Sequence, residues 1–326
     1  MLIRLGSIPT VVVSSPESAR EVLKTHDLDC CSRPRLVGVG CLSYDYLDMA
    51  FVEYGDYWRE LRKLYVLELY SAKRVQSFRY VREEEVGSMI ESIAMSAKSR
   101  TPVNISEKFM TLTANITCRV AFGKAIQETE FKEGSFMNMI HEAVAMLESF
   151  SASDFFPRFG WIVDRFTGLH SRLEKSFRNL DVFYQKVIEE HRNATKSHEQ
   201  EDMVDLLLKM VRDQTELAYG VDLLSRIQVN AWGIGLEPSL RECPKEFVPE
   251  RFEDRTIDYR GNHFELLPFG AGQRGCPGML MAMAMIELAL VNVLHSFDWE
   301  LPEGMTEGDV SMEEGAGLVV SNKVPL

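Results

Sequence analysis

The chain has 326 residues, 45% of them hydrophobic, which is ample for a large folded core. A net charge of −13 leaves no broad basic footprint and excludes a general nucleic-acid binder. The six cysteines (Cys30, Cys31, Cys41, Cys118, Cys243 and Cys276) show no paired metal-ligand spacing, and a reducing compartment is the simplest reading.

Residues 2–13 alternate around Gly6 and Pro9 and predict two short strands. Ser15-Pro16 starts a helix that runs to about His26, with serine at the cap and proline in the first turn. Residues 27–54 lack a helical period and predict a long loop. Helical spacing of apolar residues marks segments near 71–98, 104–123, 132–149 and 166–192, with a shorter one over Asp202 to Val211. Glu83-Glu84-Glu85 and Glu189-Glu190 read as solvated faces. The aromatic stretch from Phe150 to Trp161, broken at Pro157 and Gly160, reads first as core packing, with a pocket lining or a membrane-facing surface as alternatives. Thr195 to Glu201 is polar and reads as a flexible link. Arg226 to Trp232 reads as a strand, as do Asp298 to Leu301 and Gly317 to Val320. No run of 18 apolar residues occurs, so no transmembrane helix is expected. The opening Met1-Leu2-Ile3-Arg4-Leu5-Gly6 does not read as a signal peptide.

Two stretches carry chemistry. In Phe269-Gly270-Ala271-Gly272-Gln273-Arg274-Gly275-Cys276-Pro277-Gly278, glycines let the backbone lie close to a flat cofactor. Cys276 stands just before an apolar helix, Met279 to Phe297, whose free N–H groups favour a thiolate in a buried loop. Arg274, two residues earlier, suits an anionic group on the same cofactor. The helix itself is almost wholly apolar and is therefore expected to be buried. In Tyr54 to Lys63, Trp58 and Arg62 are four apart and share a helical face, an arrangement able to hold a carboxylate. On its own that spacing is more often a cation–π or surface pair.

The cysteine stretch resembles the Phe-x-x-Gly-x-Arg-x-Cys-x-Gly haem loop of cytochromes P450. Trp58 and Arg62 resemble the family's Trp-x-x-x-Arg, Ser32-Arg33-Pro34 matches as well, and Phe247 to Phe252 resembles its Pro-Glu-Arg-Phe segment. The wording around Gly55 to Lys63 and His263 to Gly278 is most similar to plant A-type P450s of the 71 family, enzymes of plant secondary metabolism. The resemblance implies a mainly α fold with small β-sheets. It implies haem b with Cys276 as axial iron ligand, and a cofactor site of Trp58, Arg62, Phe269, Gly270, Gly272, Arg274, Cys276 and Gly278. Arg62 and Arg274 would hold propionates, and Phe269 would pack by the sulfur. It implies a monooxygenase that puts one atom of O₂ into a small lipophilic substrate, with electrons from NADPH through NADPH-cytochrome P450 reductase. The family's place is the cytosolic face of the endoplasmic reticulum membrane. The expectation here is a chain without the usual anchor, and so a cytoplasmic alternative.

The resemblance breaks near 217/218, where Thr215-Glu216-Leu217 runs straight into Ala218-Tyr219-Gly220. Neither the family's Ala-Gly-x-x-Thr helix nor its Glu-x-x-Arg helix is found. Glu17/Arg20 and Glu189/Arg192 have that spacing but read as surface pairs. The expectation is one incomplete P450 domain, 1–217 and 218–326, interrupted by a deletion, with no catalytic threonine. Arg251 loses its family partners and must turn to Glu246 or Glu253, or to solvent. The alternative reading is a non-catalytic remnant that binds haem or a partner.

Overall fold

A computed structural model describes residues 1–125, 133–193, 201–210, 226–253, 257–311, 313–315 and 323–324. The expected link after Thr195, the junction at 217/218 and the strand at 317–320 lie outside them. The described residues form two compact units. One comprises Met1–Lys63, Phe150–Glu174 and Leu217–Met279; the other comprises Leu64–Ser149, Lys175–Glu216 and Leu280–Leu326.

The first unit is built on the expected strands. β1 (Leu2–Leu5) runs antiparallel to β2 (Ile8–Val13), and β3 (Arg226–Val229) joins β2 in parallel, pairing Thr10 with Arg226 and Val13 with Val229. Thr10 and Val13, on opposite faces of the strand, are both buried, and Val11 is exposed although it shares the face of Val13. Val13 then packs with Ala19, Ile234, Phe264, Leu267 and Ala271. The strand expected to reach Trp232 stops earlier. The Asn230 side chain accepts the Gly233 N–H at 2.9 Å and caps α12 (Ala231–Gly235) instead. α1 (Pro16–Arg20) has Ser15 as cap and Pro16 at its start. It continues through a widened turn, in which the His26 N–H reaches the Glu21 carbonyl at 2.8 Å, into α2 (Asp27–Cys30).

The stretch 27–54 is more ordered than its lack of period suggests. It holds α2 and α3 (Val37–Leu42), and Tyr44, Asp45 and Tyr46 take left-handed φ values of 51, 60 and 62°. The Tyr46 hydroxyl donates to the Leu36 carbonyl at 2.9 Å, and the Asp48 carboxylate accepts the N–H groups of Ala50 and Phe51. Short-range polar bonds, which leave no hydrophobic period, hold this segment. The Phe150 to Trp161 stretch reverses the core expectation. Phe150, Phe156, Phe159 and Trp161 are exposed, as is Phe166 at 88%, in and beside α9 (Gly160–Phe166). Polar groups occupy the interior there. Asp164, 1% exposed, accepts hydrogen bonds from the Ser151 and Ser153 hydroxyls and the N–H groups of Ala152 and Ser153.

In the second unit, α5 (Ala72–Ser77) leads into α6 (Arg79–Lys98), which supplies Val81, Val86, Met89 and Ile93 to the core. α7 (Ile105–Phe122) adds Leu112, Ile116 and Val120. Full burial of each such side chain contributes roughly 1.5–3 kcal/mol. α7 is capped by Asn104, whose side chain accepts the Glu107 N–H at 3.0 Å. α8 (Glu133–Glu148) follows. Of the three glutamates read as solvated, Glu83 and Glu84 are exposed, Glu84 while pairing with Arg119; Glu85 is largely covered, binds Arg119 and accepts from Asn115. In the last turn of α10 (Leu169–Asn193), His191 lies 2.8 Å from Asp202 just before α11 (Met203–Met210), a pair almost fully buried.

α13 (Met279–Ser296) departs from the buried helix expected. Ala289 and Val293 are in the core, but Leu280, Ile286, Leu290, Val291 and Leu294 are exposed. Both faces are apolar, so composition gave no sign that only one is covered. By length and composition this helix also suffices to cross a membrane, contrary to expectation, although Glu287, Asn292 and His295 interrupt it. Residues 298–301 form no strand; Trp299 instead donates to the Val293 carbonyl at 3.2 Å.

Candidate functional site

The site lies within the first unit. The cysteine loop closes on itself, the Cys276 N–H donating to the Phe269 carbonyl at 2.9 Å and the Gly275 N–H to the Gly272 carbonyl at 3.1 Å. Gly270 and Gly272 both have left-handed backbones, with φ of 68 and 67°. Ala271 is buried in the core, and the Phe269 ring meets Tyr259 edge-on at 6.0 Å. The Cys276 side chain is exposed at the edge of a cavity.

α4 (Asp56–Leu64) brings Trp58 and Arg62 to the loop, as their spacing predicted. Arg62 Nη2 donates to the Gly275 carbonyl at 2.6 Å. Trp58 is 1% exposed, and the guanidinium groups of Arg274 and Arg62 lie 4.7 and 6.0 Å from its ring centre. Its indole Nε1–H is buried and has no acceptor among the described residues. Arg274 turns into the 27–54 segment. Its Nε donates to the Cys31 carbonyl at 2.8 Å, Nη1 to Met49 and Ala50, and Nη2 to Val52 at 2.6 Å.

A cavity of about 400 Å³ separates these parts. Arg33, Met49, Ala50, Arg62 and Arg274 line it together with Pro268, Phe269, Gly270, Cys276 and Pro277. Burial lowers the pKa of Arg33 and of Arg62. Burial, followed by repulsion from Arg33 and Arg62, pushes Arg274 down to about 10, with Asp48 opposing. Among the described lining residues no side chain is acidic. Three crowded cations and a buried N–H without an acceptor call for an anion. A flat dicarboxylate cofactor whose metal faces Cys276 meets that demand, so the residues fit haem. Gly278 closes the loop ahead of α13. Arg33 is the charged lining residue that sequence reasoning passed over, as it did Met49, Ala50, Pro268 and Pro277, although Ser32-Arg33-Pro34 had been matched. Nothing in its local pattern showed that the segment folds onto the cysteine loop.

Arg251 has found partners other than carboxylates. It donates to the backbone carbonyls of Glu242, Cys243, Glu246 and Val248 at 2.9–3.1 Å.

The architecture and the loop define a class: mainly helical proteins with a small sheet, in which a cysteine loop faces a cationic cavity. The cytochrome P450 family model matches residues 1–221 and 221–325. Cytochrome P450 71B36 of Arabidopsis thaliana is 38% identical over 423 aligned residues, covering 99% of this chain and 84% of the relative. Cytochrome P450 71B10 of the same plant is 37% identical over 426, covering 99% and 85%. A zebra fish cytochrome P450 solved with abiraterone shares the fold at 18% identity, with a TM-score of 0.78 over 99% of this chain and 93% of that one. The chain belongs to the cytochrome P450 family, and within it to the plant 71 group. With that family come haem b, monooxygenase chemistry and electrons from NADPH through a reductase. The alignment is longer than the 326 residues present, and the family model breaks at 221, so the fold is shortened internally.

Proposed function

We propose that Cys276 is the axial ligand of haem b and that Arg62, Arg274, Arg33 and Trp58 receive its carboxylates. The observation that carries this reading is the crowding of three half-buried guanidinium groups and a buried Trp58 N–H without an acceptor among the described residues, beside the cysteine loop. When bound, haem supplies oxygen activation, one atom passing to a small lipophilic substrate and the other to water. The chain's own part is to hold the ring's anionic edge, to fix the cysteine backbone through Phe269, and to keep the loop in place through Arg62. Gly270, Gly272 and Gly278 let the loop follow the ring's plane. We read 1–217 and 218–326 as one interrupted domain. The sequence has no Ala-Gly-x-x-Thr to relay protons to oxygen, so reducing equivalents from the reductase leak as hydrogen peroxide and product yield is low. The decisive measurement is the reduced, carbon-monoxide-bound spectrum of the chain supplied with haem. A strongly red-shifted Soret band supports the reading; a band at the ordinary haem-protein position overturns it.

A second reading, a haem-binding remnant without turnover, is favoured by the two-piece family match. Product formation with purified reductase and NADPH would exclude it. For location we propose the cytosolic face of the endoplasmic reticulum membrane, supported by the exposed aromatic surface from Phe150 to Phe166. Flotation with phospholipid vesicles tests this. A chain that stays in the soluble fraction would favour the cytoplasm.

A further inference from the structure

The cysteine loop has an anchor that no motif singled out. Asp27 opens α2, and its Oδ2 accepts the Gln273 N–H at 2.7 Å. One residue earlier, a Cβ on Gly272 would stand 2.2 Å from the Leu23 carbonyl oxygen and 2.6 Å from Asp27 Oδ2. The loop tip therefore lies directly on the segment from Leu23 to Asp27, and the left-handed φ of Gly272 suits that approach. The segment is well supported, since Val22 and Leu23 pack on the core that contains Ala271. The widened turn between Glu21 and His26 sets where Asp27 falls.

We propose that Asp27 is a positioning residue for Cys276; this rests on the haem reading above. The bonds from Cys276 to Phe269 and from Gly275 to Gly272 shape the loop but do not attach it to anything else. Attachment comes from Arg62 on the Gly275 carbonyl, from Arg274 on the 27–54 carbonyls, and from Asp27 on the Gln273 N–H. The two arginines hold the loop's return toward the cysteine, and Asp27 holds its tip. With the tip released, the loop turns about its glycines and the sulfur leaves the position that faces the cavity.

The test uses the full chain carrying Asp27→Ala or Asp27→Asn. Without haem, the Gln273 amide of Asp27→Ala should exchange with solvent about tenfold faster, as loss of a hydrogen bond to a charged acceptor predicts. Alkylation of Cys276 should change severalfold relative to the exposed Cys243, which serves as internal control. With haem, the red-shifted fraction of the carbon-monoxide band should fall severalfold. Asp27→Asn keeps an oxygen acceptor and should restore most of each signal. Wild-type Cys276 alkylation in Asp27→Ala, or a lower melting temperature with the band fraction unchanged, overturns the proposal. If the wild-type chain gives no red-shifted band, the haem reading fails by itself, and the two haem-free measurements still decide the role of Asp27.

Discussion

Arg119 and Arg274 are both partly buried and both donate hydrogen bonds, yet they sit in opposite surroundings. Arg119 donates to Glu85 at 2.8 Å and Glu84 at 2.5 Å. Burial alone would lower its pKa, but the two carboxylates outweigh burial and hold it above the usual value. Among the described residues Arg274 donates only to backbone carbonyls, and burial, then Arg33 and Arg62, push it down to about 10 against the opposing pull of Asp48. Arg119 is compensated locally, because an uncompensated buried charge is costly. A charge left uncompensated beside a cavity stores demand for an anionic ligand. What marks Arg274 is its place beside two further arginines at the cavity that Cys276 lines.

Substitutions on the two sides of this contrast should give different readouts. The largest effect belongs to Cys276→Ala. It should abolish the red-shifted carbon-monoxide band while leaving the melting temperature nearly unchanged, since the sulfur is exposed. Next, Arg62→Ala or Arg33→Ala should weaken haem binding by about 10–100-fold, the range for losing a hydrogen bond to a charged group. Titration with haem dimethyl ester, which lacks the charged carboxylates, should show no such difference between variant and wild type. An equal loss for both ligands would mean that the arginines only support the loop.

The contrast also has a pH signature, smaller than these losses. Arg274 gives up its positive charge as pH rises through about 10. Its pKa in the free chain is depressed and a bound anion would raise it, so above that value binding must take up a proton. Haem retention should therefore fall relative to haem-free stability as pH crosses that value, and Arg274→Met should flatten the profile. Asp164 behaves in the opposite sense, at the acid end. Burial alone would raise its pKa, but its hydrogen bonds from Ser153, Ser151 and Ala152 prevail and lower it. The stability it contributes is present above the unfolded value and is lost as pH falls through the folded one. Urea denaturation of Asp164→Asn should show about 2 kcal/mol less stability at neutral pH and a weaker acid dependence.

What the sequence made legible follows from the range of the interactions involved. Trp58 and Arg62 were readable because four residues on a helix fix a shared face. The helices near 104–123 and 132–149 followed from apolar period alone, and they form with nearly the expected bounds. The cysteine loop was readable because its glycines and cysteine are contiguous. Arg33 and Asp27 were not readable as site residues, since each meets the loop across more than two hundred residues of chain. α13 misled for another reason. Apolar content shows that a face avoids water, but not that the fold supplies something to cover it, and Leu290, Val291 and Leu294 remain exposed. The same limit applies to Phe150 to Phe166.

The smallest predicted effect is the one that tests the comparison itself. Arg119 is 22% exposed, so its ion pairs with Glu84 and Glu85 are partly screened by solvent. Arg119→Met keeps much of the stem's packing and removes the charge, and should cost about 1 kcal/mol. Glu85 would then lose one donor and keep Asn115, whose Nδ2 lies 3.1 Å away. Haem affinity should not move, because both carboxylates and the arginine belong to the second unit's helical fabric. If this variant bound haem as poorly as Arg62→Ala, local compensation would not distinguish structural from functional cations in this chain. The demand for an anion would then have to be traced to the fold as a whole and not to the cavity beside Cys276.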